Sequence, residues 1–97
     1  MKLKYLDGTV TFECPGCGSW HCVPVEGARK WTWNGSVDLP SLVPSLMVTW
    51  DYGDPPVHRI CHTVVTDGKI AFQHDCTHEL RGRTVAMLEI ADPEQVP

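Results

Sequence analysis

Two dipeptides do more than anything else to limit what this chain can fold into. Asp7-Gly8 and Asp67-Gly68 each stand between short runs rich in β-branched and aromatic residues. A two-residue Asp-Gly loop suits the right-handed twist of paired strands, so each predicts an antiparallel hairpin. In the first, Lys2–Leu6 returns as Thr9–Cys14, with Leu6 facing Thr9, Tyr5 facing Val10 and Leu3 facing Phe12. Leu3, Tyr5, Val10, Phe12 and Cys14 then share a dry face, and Lys2, Lys4, Thr9, Thr11 and Glu13 a wet one. In the second, Arg59–Thr66 returns as Lys69–His74, with Val65 facing Ile70, Thr63 facing Phe72 and Cys61 facing His74. Cys76 lies one step further on that face, and Ile60, His62, Val64, Ala71 and Gln73 occupy the other.

Between the hairpins the chain is broken by Pro and Gly. Strands are expected over Trp20–Val25, Arg29–Trp33, Leu46–Trp50 and Thr84–Leu88. Asp38–Ser45 reads as a Pro-fixed extended loop and Asp51–Val57 as a second loop, with a short helical turn near Thr77. With 97 residues, 42% of them hydrophobic, the expectation is one mostly β domain over residues 1–91 with little helix. Residues 92–97 are expected to form a C-terminal tail. A core this thin benefits from a further constraint.

Cysteine supplies one. The chain has 5 Cys and 5 His, and no apolar leader or membrane-spanning run is seen, so a reducing cytoplasm is expected, where clustered cysteines signal metal rather than disulfides. Cys14-Pro15-Gly16-Cys17-Gly18 is a C-x-x-C on a tight turn, half of a zinc site. The second hairpin offers the other half, because Cys61 and Cys76 share a face as diagonal neighbours. The expected ligands of Zn²⁺ are Cys14, Cys17, Cys61 and Cys76, with His62, His74 and His78 as alternates. His21 and His58 carry no pattern and are expected at the surface, and Cys22 is expected to be a small buried hydrophobe. Four thiolates would close the coordination shell, making the zinc structural and leaving no catalytic residue to name. The alternative is a hydrolase-like enzyme in which His78 and Glu79 serve a zinc with an open position.

Charge and aromatics bear on partners. Lys plus Arg number 8 against 12 Asp plus Glu, a net charge of −4, which disfavours a polyanion unless Lys30, Arg59, Arg81 and Arg83 cluster into a nucleic-acid-binding knuckle. Trp31, Trp33 and Trp50 are core-filling candidates whose second reading is an interaction surface for a protein. A free β edge or that tryptophan face could also pair two copies into a homodimer.

Cys14–Gly18, Trp31–Ser36, Pro40–Ser45, Cys61–Ile70 and Asp75–Leu80, in that order, resemble a family of small phage and prophage zinc-knuckle proteins. Its members often carry the label "ammonia monooxygenase", which belongs to a membrane copper complex and not to a short Cys-rich chain. More distant relatives resemble metal-binding components encoded near bacterial ubiquitin-like conjugation genes. The resemblance spans about residues 10 to 90. It implies a zinc-binding protein-interaction module from a bacteriophage, acting on a host protein in the bacterial cytoplasm. It leaves open whether Cys61 or its neighbour His62 is the third ligand.

Overall fold

The computed structural model describes residues 1–90. Eight strands form: β1 (Lys4–Leu6), β2 (Thr9–Glu13), β3 (Trp20–Pro24), β4 (Thr32–Trp33), β5 (Leu42–Tyr52), β6 (Val57–Thr66), β7 (Lys69–Phe72) and β8 (Thr84–Ala86). They make a three-stranded sheet, β1-β2-β3, and a five-stranded sheet, β4-β5-β6-β7-β8, antiparallel throughout. The protein is all β among the described residues, in agreement with the turn-based reading. The tail assigned to 92–97 lies outside the described residues.

Both Asp-Gly hairpins form in the expected register, Tyr5 opposite Val10 and Val65 opposite Ile70. Asp7 and Asp67 have φ of 49° and 48°, and the glycines that follow 80° and 77°, the left-handed pair that such a turn requires. The dry faces of the two sheets meet. Leu3, Val10, Phe12 and Val23 from one side pack with Leu42, Leu46, Val65, Ile70, Phe72 and Met87 from the other. Phe12 is fully buried, so truncation to alanine should cost about 3–5 kcal/mol.

The middle of the chain departs from expectation. The strand expected over Arg29–Trp33 shrinks to Thr32–Trp33, because Trp31 donates its N–H to Pro24 of the other sheet. The supposed loop before Leu46 is strand from Leu42 onward, Pro44 included. Leu42 stands opposite Val65 and Leu46 opposite Thr63, so residues 43 to 45 bulge against Val64 alone. A bulge is where a strand tolerates proline, since no ladder N–H is asked of it. The helical turn expected near Thr77 is a run of bends and turns. The second hairpin's ladder ends at Phe72. Gln73 still donates to the His62 carbonyl and Thr77 to that of Ile60, and between them the chain loops outward at His74 and Asp75.

Candidate functional site

Side chains alternate across a strand, so β6 deals its residues to two environments. Cys61 points inward and is 1% exposed; His62 points to the outer face of the five-stranded sheet. The outward loop before Cys76 repeats the division, with Cys76 buried and Asp75 on the outside. Two adjacent pairs, Cys61-His62 and Asp75-Cys76, therefore each give one residue to a buried thiol cluster and one to an exposed polar group.

The inner cluster joins the two sheets. Cys14 directly follows β2; its N–H bonds Ser19 O and its carbonyl accepts from Gly18, whose φ of 69° closes the knuckle. Its Sγ lies 3.7 Å from that of Cys61. Cys17 Sγ lies 3.2 Å from His21 Nε2, and His21 is buried on β3 opposite Phe12. The donor atoms of Cys14, Cys17, His21 and Cys61 all fall within 4.8 Å of one another, a group that could hold a metal ion. Two sulfurs each about 2.3 Å from one tetrahedral ion stand about 3.8 Å apart, which is the Cys14–Cys61 spacing. Three thiols and an imidazole suit zinc. The hydrogen bond between the two thiols holds Cys14 far below the usual thiol range and pushes Cys61 up, so one ionises at the other's expense. Burial pushes Cys17 up as well. A dication among them would relieve this conflict.

A second group, Cys61, Cys76 and His78, shares Cys61 with the first. His78 Nε2 is 3.5 Å from Cys61 Sγ, while its Nδ1 accepts the Leu80 N–H at 3.2 Å. With Nδ1 accepting, the ring proton sits on Nε2 and points at the Cys61 sulfur, a donor's posture rather than a ligand's. The ring also packs over Gly16, where any Cβ would run into it. Cys76 stands apart from the four-residue group. Its Sγ is 3.2 Å from both the N–H and the carbonyl oxygen of His62, and so it grips that residue's main chain.

Of the alternates, His74 is exposed and belongs to neither group, and His62 is turned away from both. Two expectations are corrected. His21, expected at the surface, is buried in the cluster; Cys22, expected in the core, is exposed on the other side of β3. Glu79 is exposed beside His78. Trp31, Trp33 and Trp50 are partly buried and pack against the core, where Trp33 Nε1 donates to Ser36 O.

The outer group was not anticipated. His62 Nδ1 lies 3.1 Å from both Asp75 oxygens, and His62 Nε2 lies 3.1 Å from Ser45 Oγ. An ionised carboxylate can only accept, so Nδ1 carries the proton and Nε2 offers a lone pair to the serine hydroxyl. Ser45 closes the bulge of β5, exposed; Asp75 is 45% and His62 25% exposed. Serine, imidazole and carboxylate in a hydrogen-bonded row are the parts of a nucleophilic triad, recognised by geometry and not by chain order. The sequence carried a trace of it. Pro40–Ser45, Cys61–Ile70 and Asp75–Leu80 all stood out as motifs, but no short spacing ties a serine at 45 to a histidine at 62 and an aspartate at 75.

Residues 2–73 match the family model described as bacterial ubiquitination-like system serine protease (BubE). The match includes Ser45 and His62 and stops short of Asp75. It names no phage or zinc-knuckle family. No curated protein matches the chain, and no solved structure does.

Proposed function

The chain belongs to the bacterial ubiquitination-like system serine protease (BubE) family, and on that premise we propose that it is a serine peptidase with Ser45 as nucleophile, His62 as general base and Asp75 as the residue that orients it. The observation that carries this reading is the continuous Ser45–His62–Asp75 hydrogen-bonded row. Ser45 Oγ attacks the carbonyl carbon of an amide bond while His62 Nε2 takes the hydroxyl proton. The same proton passes to the leaving nitrogen as the C–N bond breaks, leaving an acyl ester on Ser45. Water, deprotonated by His62, then cleaves that ester, and the serine regains its hydrogen. Asp75 stays ionised throughout and stabilises the imidazolium.

Zinc has no step in this chemistry. We assign it to Cys14, Cys17, Cys61 and His21, a closed shell whose effect is structural: it staples β2 and β3 to β6 and so fixes the strand that carries His62. The partner is a substrate protein of a ubiquitination-like system, a narrower form of the protein-interaction reading. A bacterial cytoplasm suits five free thiols. The viral origin that the resemblance implied adds nothing to the site's chemistry.

The test is covalent. A fluorophosphonate should add to the intact protein once, with the modified peptide containing Ser45. Ser45→Ala and His62→Ala should each abolish the adduct. Labelling that persists in Ser45→Ala, or lands elsewhere, would refute the assignment.

A further inference from the structure

Beyond Val43 the main-chain groups of β5 are paired on one side only. Gln73 donates to His62 O and Thr77 to Ile60 O, so the even-numbered residues of β6 turn their N–H and C=O groups away from β5. Its odd-numbered residues face β5, where Thr63, Cys61 and Arg59 stand opposite Leu46, Val48 and Trp50. By alternation, Met47, Thr49 and Asp51 direct their N–H and C=O groups to the other side of β5. That side is covered by β4 only at Leu42 and Val43, beyond which Trp31 leaves for the three-stranded sheet. Among the described residues, none bonds the main chain of Met47, Thr49 or Asp51.

We propose that this edge receives an extended peptide as an added strand, and that this lays a substrate's backbone against Ser45. The inference rests on the peptidase reading above and names the substrate class: a flexible protein segment or terminus with free backbone amides, not a folded surface. An unpaired row of alternating donors and acceptors is a template for a strand. Its position selects the occupant. The uncovered edge starts where β4 stops, opposite Val43, and Ser45 lies just past that point. Side chains of Met47 and Thr49 lie on the His62 face, since these residues stand opposite His62 and Ile60. Alternate side chains of an added strand would therefore pass over the triad. Those between would turn toward a cavity of about 310 Å³ walled by Trp50, Tyr52 and Arg59, beside Cys17 and His78. Five residues of strand from Met47 to Asp51 span about 17 Å, enough for four or five substrate residues.

The experiment uses the native zinc-bound chain and a randomised decapeptide library read by mass spectrometry. One cleaved decapeptide is resynthesised with its backbone amides N-methylated singly. An added strand bonds through every second amide, so cleavage should fall at least about tenfold at alternate positions and stay within about twofold between them. Uniform tolerance, or losses confined to the amides flanking the cut bond, would overturn strand addition. So would a stable dimer whose contact protects the amides of Met47, Thr49 and Asp51 from hydrogen exchange, since a second copy would then hold the edge. Fluorophosphonate labelling of Ser45 without cleavage of any library peptide would overturn strand addition and leave the triad standing. Absence of labelling would remove the triad, and this proposal with it.

Discussion

The two faces of the five-stranded sheet hold their polar groups by opposite means. On the inner face, Cys14 and Cys61 are buried and compete for one proton. On the outer face, Ser45, His62 and Asp75 are at least partly open to solvent and satisfy one another in a row. Buried polar groups without full partners destabilise a fold, whereas exposed ones cost little but are held loosely. The arrangement resolves both problems with the same two residue pairs. Cys61 anchors the strand under His62, and Cys76 anchors the loop under Asp75. On the peptidase reading, the buried inner face is what holds the exposed row in place.

Loss of the metal should have the largest effect. Zinc binding by such a site contributes on the order of 10 kcal/mol, against a net stability of about 5–15 kcal/mol for a domain. A strong chelator, or Cys61→Ser, should therefore abolish the dispersed amide spectrum along with zinc content and fluorophosphonate labelling. A metal-free chain that still labels at full rate would show the two faces to be independent. Ser45→Ala comes next. It should lower amide hydrolysis by about 10⁴- to 10⁶-fold. Because Ser45 is exposed, zinc content should stay the same and stability should change by less than about 0.5 kcal/mol. A drop in thermal midpoint of many degrees would mean that Ser45 belongs to the scaffold. Asp75→Asn should follow at about 10⁴-fold, because an asparagine amide can favour the wrong tautomer of His62. Equal activity in wild type and Asp75→Asn would reduce the site to a dyad.

The contrast between faces also explains what could be read from the chain. The Asp-Gly turns fix register without outside help, so the pairing of β6 with β7 and the inward aim of Cys61 were legible, as was the meeting of Cys61 with the C-x-x-C. His62 followed at once as an outward residue, but nothing local told what it would meet. That depends on the register of β5 against β6, which are joined through Gly53, Asp54, Pro55 and Pro56 and not through a two-residue turn. It depends further on the bulge at residues 43 to 45, which sets Ser45 beside His62. Asp75 reaches the ring only because the chain leaves the ladder after Phe72, where alternation alone would continue the strand. His21 was missed for a similar reason, since its partner across the sheet depends on how many residues the knuckle takes up between Cys14 and Ser19. Local pattern thus gave the thiol cluster, and long-range register held the Ser45–His62–Asp75 row.

Cys76 decides how the two faces are joined, and its removal should have the smallest effect of the four. If it were a zinc ligand, as hairpin parity alone predicts, Cys76→Ala would release metal and unfold the chain as Cys61→Ser does. On the assignment proposed above, its work is to hold the His62 backbone, because its thiol lies outside the four-residue group and contacts both the N–H and the carbonyl of His62, in a site only 2% exposed. Alanine there leaves a main-chain N–H without its sulfur partner and little access for water, at a cost of about 1–3 kcal/mol. The expected variant is folded and zinc-loaded, with a lower melting point. Its fluorophosphonate labelling should be slower than that of wild type, since the loosened backbone carries the imidazole. Serine at the same position can still donate and accept, and should recover part of the labelling rate. Metal titration on both variants separates the roles, because a ligand's loss appears first in zinc affinity and a clamp's loss first in the rate at which Ser45 reacts.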